Sequence, residues 1–214
     1  MKQRSMSSSS PDPKSGRSSL AFDLDGTVTR EEILPAIARE LDLFDEMSLL
    51  TDLTLRGEIS FERSFRLRFQ ILRNVPLARI QDITGSVRLD PDIAAFIRAE
   101  ADRCFIVTGN LDLWVAPLMT VLPCRWFCSK GHLGPTGAVE LGEVQLKSRA
   151  IRELRSSGSD VVAIGDSSND VPMFEEADVG IAYGGVHEPV AALHEMADYV
   201  VYDGATLCRL LATL

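Results

Sequence analysis

The stretch FDLDGTVT, residues 22 to 29, sets Asp23 and Asp25 two positions apart at the end of the apolar run Leu20, Ala21, Phe22. Gly26 and the hydroxyl residues Thr27 and Thr29 follow. Two carboxylates at the edge of a core repel each other, and burying either one is costly. A cation between them removes both objections, so the pair reads first as a metal site. Other chemistry-bearing residues also close apolar runs: Thr108, Gly109 and Asn110 in CFIVTGN, and Asp166, Asn169 and Asp170 in GDSSND. The chain carries a formal charge of −9. A metal and a few local cations would still let such a protein accept an anionic substrate, because they reverse the sign of the field within a pocket.

The elements that must position these residues follow from the apolar pattern. Five short apolar segments, LAFDLDG, CFIVTGN, VVAIGDS, VGIAYGG and YVVYDG, end in glycine, acid or hydroxyl residues. Helix-like stretches such as PDIAAFIRAEA and KSRAIRELRSSG lie between most of them. This alternation predicts an α/β fold, a Rossmann-like, doubly wound, mostly parallel sheet with helices on both faces. Ligands of such sheets bind outside the carboxyl ends of the strands, where all these polar endings fall. Residues 31–88 break the alternation and read as several helices, a cap inserted after the first strand and placed to cover that edge. The glycines and alternating apolar residues of 124–147 suggest a short hairpin or flap. The expected organisation is a Ser-rich disordered tail over 1–19, a Rossmann-like core over 20–30 and 89–214, and a helical cap over 31–88.

Composition narrows the function classes. Hydrophobic residues make up 45% of 214, enough for a sizeable core. No apolar run approaches the ~18 residues needed to cross a bilayer. The acidic balance argues against nucleic acid or an anionic membrane as a partner, since both want a basic face. Of the four cysteines only Cys124 and Cys128 are close in sequence, and no histidine pair stands at zinc-finger spacing from them. They read as reduced thiols of a cytoplasmic protein. Residues 1–19 are rich in Ser, Pro and Lys/Arg and have no signal-peptide core, although their scarcity of acids also suits a transit peptide. His132, His187 and His194 read as surface or loop residues, with His187, alone at a predicted strand end, the one candidate among them for a pocket residue.

Four motifs in order resemble those of the haloacid dehalogenase superfamily: DLDGTVT, IVTG at 106–109, Lys147, and GDSSND at 165–170. The resemblance runs from about residue 20 to the end of the chain. It implies a magnesium-dependent phosphomonoester hydrolase with Asp23 as nucleophile, forming an aspartyl-phosphate. Asp25 then protonates the leaving oxygen and later takes a proton from water. Mg2+ is held by the Asp23 carboxylate, the Asp25 backbone carbonyl and Asp166, with Asp170 behind them. Thr108 and Lys147 bind the non-bridging phosphate oxygens. Lys130 is the other lysine available for that role. An acid at position 25 favours phosphomonoester hydrolysis over dehalogenation or ion pumping.

Within that superfamily the cap is similar to that of the phosphoserine phosphatase family. Glu32 falls nine residues after Asp23, where that family meets the substrate ammonium, and RGEISFERSFRLRF resembles its Gly-Glu, Phe-Glu and arginine stretch. The resemblance implies that Arg68 holds the substrate carboxylate, a sound choice for a planar anion. Phe61 packs over the substrate, and Gly109, Asn110 and Asn169 join the binding set. Three residues depart from the family: Asn110 replaces the second glycine of a Gly-Gly pair, Leu55 stands where methionine is common, and Gly26 stands at the serine of the first motif. The substrate implied is a small phosphomonoester, phosphoserine or a similar phosphorylated amino acid. The alternatives are another small metabolite, or transfer of the phosphoryl group to an acceptor hydroxyl.

Overall fold

The computed structural model describes residues 17–56 and 58–214. Residues 1–16 of the expected tail lie outside the described residues, but its last three residues are built into the domain. Arg17 pairs with Glu100 at 2.7 Å, the Ser18 hydroxyl donates to the Leu214 carbonyl at 3.2 Å, and Ser19 opens the first strand.

That strand, β1 (Ser19–Phe22), is buried along its whole length, as a strand covered on both faces must be. Four helices follow: α1 (Ile33–Glu40), α2 (Phe44–Leu55), α3 (Phe61–Leu72) and α4 (Leu77–Ser86). The chain then passes through α5 (Pro91–Ala99), β2 (Cys104–Leu111), α6 (Asp112–Val121) and β3 (Arg125–Ser129). A hairpin of β4 (Gly131–Leu133) and β5 (Val139–Leu141) leads to α7 (Lys147–Ser156) and β6 (Val161–Gly165). The chain finishes with α8 (Val171–Phe174), β7 (Val179–Tyr183), α9 (Ala191–Met196), β8 (Tyr199–Val201) and α10 (Gly204–Leu211).

The six-stranded sheet has the order β3-β2-β1-β6-β7-β8, and every pairing in it is parallel. Strand order runs outward from β1 on one side and from β6 on the other. The topological switch point therefore lies between β1 and β6, the place where open sheets of this kind bind ligands. Alternate side chains serve two cores. Leu20, Phe22, Ile106 and Ile164 face Ile93, Trp114 and Leu207 on one side. Ala21, Val107 and Ala163 face Ile151, Leu154 and Met173 on the other.

The sixth strand is a correction to the sequence reading. Residues 125–129 belong to the main sheet, whereas the hairpin expected over 124–147 is confined to β4 and β5. RWFCS opens on a charged residue and forms a sheet edge, where the Arg125 guanidinium lies over the Phe105 and Phe127 rings at 5.6 and 5.5 Å.

The helices over 33–86 are anchored to the rest of the chain at several places, among them α4, whose Gln81 and Thr84 side chains donate to the Leu113 and Trp114 carbonyls of α6 at 2.9 and 2.7 Å. Their two connections are zipped together by the Arg30 amide donating to the Arg88 carbonyl at 2.8 Å and by an antiparallel bridge between Thr29 and Leu89. Farther out, Phe65 and Phe69 of α3 pack on Trp114 of α6 with ring centroids 6.0 and 6.1 Å apart. Aromatic pairs at this spacing add to simple burial and fix an orientation.

Candidate active site

Asp23 is the first residue beyond β1, and its amide donates to the Ile164 carbonyl of β6 at 2.8 Å. The chain then turns at Gly26, where φ is +72° and a Cβ would stand 2.7 Å from Asp166 Oδ2. Both the left-handed conformation and the close approach demand glycine. Thr27 donates its hydroxyl to Asp166 Oδ1 at 3.3 Å. Asp166 follows β6, and Asp170 closes the turn after it. Asp170 Oδ2 accepts from the Asp166 amide at 3.1 Å, the Ser167 amide at 3.0 Å and the Ser167 hydroxyl at 3.2 Å. Lys147, the first residue of α7, donates to Asp23 Oδ1 and, at 2.5 Å, to Asp170 Oδ1. Lys130 is not there: it is exposed and lies 3.5 Å from Asp112.

The site is short of positive charge. Asp23, Asp166 and Asp170 are buried, and their carboxylate oxygens lie within 4.8 Å of one another. Burial, then the nearby Asp170, push the Asp23 carboxyl well above its usual range, against the pull of Lys147. The same burial and neighbour raise Asp166 to about 7. Burial works against the Lys147 ammonium, but Asp170 and Asp23 outweigh it and hold the amine above its ordinary value. One ammonium does not balance these carboxylates. A set of hard oxygen donors with excess negative charge fits a divalent cation such as magnesium.

The Asp25 carboxylate turns away from that cluster. Its Oδ1 accepts from the Ile33 amide at 2.8 Å and its Oδ2 from Asn110 Nδ2 at 2.6 Å. Both Asp25 carboxylate oxygens are thus engaged by protein donors. Thr108 is fully buried at the carboxyl end of β2. Its Oγ1 accepts from the Asn110 amide and from Asn110 Nδ2, both at 3.1 Å.

A cavity of about 590 Å³ joins this cluster to the helices above it. Of the residues that the resemblance assigns to the site, Asp170 alone sits behind the cavity, and the others line it: Asp23, Asp25, Thr108, Gly109, Asn110, Lys147, Asp166 and Asn169 from below, and Glu32, Phe61 and Arg68 from above. Phe61 presses on the strand end, because a Cβ on Gly109 would meet its Cζ at 2.2 Å. Arg68 is buried, and its Nη2 donates to Thr51 Oγ1 at 2.7 Å while its Nε has no hydrogen-bond partner among the described residues. Burial, then Asp25 and Asp166, raise Glu32 to about 8. The side chain of Leu55 lies outside the described residues.

Four residues of the site escape the sequence reading. Thr27 could have been found, since it lies inside the first motif. Thr51 could not, because helical periodicity shows which face it occupies and not that it holds Arg68. Phe44 and Met47 line an apolar extension of the cavity for a similar reason. His187, weighed as a loop residue at a strand end, lies at the cavity wall with Glu188.

Comparison with known proteins agrees with this arrangement. The family model of the haloacid dehalogenase-like hydrolases matches residues 20–175. The chain is 32% identical over 208 residues to phosphoserine phosphatase of Halobacterium salinarum, covering 90% of this chain and 96% of that one. It is 28% identical to phosphoserine phosphatase of Archaeoglobus fulgidus, over 77% of this chain and 52% of that longer one. A substrate-bound phosphoserine phosphatase structure shares the fold with a TM-score of 0.75 at 24% identity, over 93% of this chain and 99% of that one. Among the described residues no helix is long and apolar enough to cross a membrane. With four motifs converging on one buried acidic cluster, the chain belongs to the haloacid dehalogenase-like hydrolase family and is a phosphatase similar to phosphoserine phosphatase.

Proposed function

We propose that the protein hydrolyses O-phosphoserine, or a similar small phosphorylated amino acid, with magnesium and through an aspartyl-phosphate on Asp23. One observation carries the substrate: Glu32 and the unpartnered Arg68 Nε share a cavity with Asp23. A buried guanidinium lacking a full set of acceptors suits a carboxylate. A carboxyl beside it suits an ammonium. A zwitterion with a phosphate at its far end matches both ends of the cavity.

In this reading Asp23, Asp166 and the Asp25 carbonyl hold the cation, with Asp170 behind them. The cation supplies charge neutralisation at the transferring phosphoryl group. Asp23 attacks phosphorus in line with the leaving oxygen, to which Asp25 gives its proton. Thr108 and Lys147 bind the phosphoryl oxygens where charge accumulates. Water then releases phosphate from Asp23 while Asp25 takes the proton back. Phe61, closed on Gly109, excludes bulk water from the reacting groups. The helices over 33–86 act as the substrate-selecting cap. A cytoplasmic setting belongs to this reading, and burial raises all four free cysteine thiols.

A second reading keeps the chemistry and enlarges the substrate. The apolar extension at Phe44 and Met47 favours it, since phosphoserine has no apolar group to place there. A panel of phosphorylated amino acids, sugars and biosynthetic phosphates, assayed with magnesium and after EDTA, decides between them. The first reading expects phosphoserine to lead the panel, with activity lost to EDTA and restored by magnesium. A preference for a bulkier phosphate selects the second.

A further inference from the structure

Asn110 carries out none of the steps above, yet it occupies the centre of the site. It is 4% exposed, at the carboxyl end of β2. Its Nδ2 donates to Asp25 Oδ2 at 2.6 Å and to Thr108 Oγ1 at 3.1 Å. Among the described residues, the other hydrogen bond to the Asp25 carboxylate comes from the Ile33 amide at the start of α1. Asp25 is thus held from above by a cap helix and from below by one side-chain amide. Both Asn110 amide contacts are to protein, so the sequence expectation of a direct substrate contact leaves only its carbonyl oxygen free to serve.

We propose that Asn110 is a positioning residue for Asp25, a role that rests on the reaction proposed above. The second torsion of an aspartate is broad and loosely defined, so a carboxylate held at one oxygen swings readily. A proton donor must lie within hydrogen-bond reach of its acceptor to be effective. Asn110, tied at Thr108, fixes the second oxygen and holds the carboxyl plane. As the bond from Asp23 to phosphorus forms, the bond from phosphorus to the leaving oxygen breaks. That oxygen keeps the electron pair and takes the proton from Asp25, which is left as a carboxylate.

The test varies the need for that proton. Substituted phenyl phosphates from 4-nitrophenyl to phenyl are assayed as kcat/KM, which reports the first phosphoryl transfer, in the wild type, Asn110→Gly and the near-isosteric Asn110→Leu. 4-Nitrophenolate leaves readily without a proton, whereas phenolate does not. Both variants are expected to lose about threefold or less on 4-nitrophenyl phosphate and on the order of 10- to 100-fold on phenyl phosphate, part of the ~10²–10⁴ that general acid catalysis contributes. The ratio of the two rates within one preparation is independent of the folded fraction, so a poorly folding variant still reports. Equal losses across the series overturn the proposal and make Asn110 a packing or substrate contact. The series contains no amino acid. A wild type that is active on it but inactive on phosphoserine therefore overturns the substrate reading alone.

Discussion

Replacing Lys147 with methionine isolates the electrostatic construction of the site. The Lys147 side chain is 9% exposed, and its partners Asp23 and Asp170 are 4% and 0% exposed. Methionine nearly fills the same volume, so loss of packing is small. What is lost is the counter-charge of two buried carboxylates. Removing one partner of such a pair costs about 3–5 kcal/mol, because the charge left behind is uncompensated. For a chain of this size each kcal/mol moves the unfolding midpoint by roughly 2–4 °C, which gives a fall of about 6–20 °C in the metal-free protein. The pH dependence has a definite sign. Asp166 is raised to about 7 and Asp23 is raised also, so between the ordinary carboxyl range and those values the folded state binds more protons than the unfolded state. Stability is therefore lost as pH rises through that window. Lys147 opposes both shifts, so Lys147→Met raises these carboxyls further. The variant's deficit should be large at pH 8 and shrink toward pH 5, where the acids are already neutral. Thermal unfolding of EDTA-treated wild type and variant at both pH values measures it. Midpoints within 2 °C of each other at pH 8, or the same deficit at both pH values, would refute the reasoning.

Arg68→Ala should lower kcat/KM for phosphoserine by about 2–4 kcal/mol of transition-state binding, roughly 30- to 1000-fold, and change an aryl phosphate only a few-fold. Equal damage to both substrates would show that Arg68 merely holds α2 to α3 through Thr51. Glu32, raised to about 8, must lose its proton to meet an ammonium, so the ratio of phosphoserine to 4-nitrophenyl phosphate kcat/KM should climb from pH 6 through 8 and flatten only about one pH unit above that value. A flat ratio would take Glu32 out of ammonium binding, and Glu32→Gln should flatten it. Gly109→Ala places a methyl against Phe61 Cζ, and displacing that ring should raise KM about tenfold through a cap that no longer closes. An unchanged KM would mean that the ring's position is immaterial to binding.

Much of this was legible because catalysis and folding share residues at the strand ends. The apolar runs leading to Asp23, Thr108 and Asp166 each fill a strand buried on both faces, so their polar endings mark the carboxyl edge. The helices over 33–86 show the same transparency, since each buries one stripe. β3 is hard to read because its three apolar residues stand between Arg125 and Ser129, and the arginine covers aromatic rings at the sheet edge. Ser19 reads as tail because it continues a Ser-rich stretch, whereas its hydroxyl opens a buried strand. The role of Asn110 was out of reach. Its partner Asp25 is 85 residues away, and nothing local distinguishes an amide facing a substrate from one facing a carboxylate.

The central claim is that Asp23 becomes phosphorylated during turnover. Rapid acid quenching of the enzyme mixed with radiolabelled phosphoserine and magnesium, followed by peptide mapping, tests it most directly. The account predicts transient label on the peptide containing Asp23, and no label on Asp23→Asn together with a loss of turnover of roughly a thousand-fold or more. Label on another residue, turnover with no labelled protein at any time, or an Asp23→Asn enzyme retaining a tenth of the wild-type rate would contradict it.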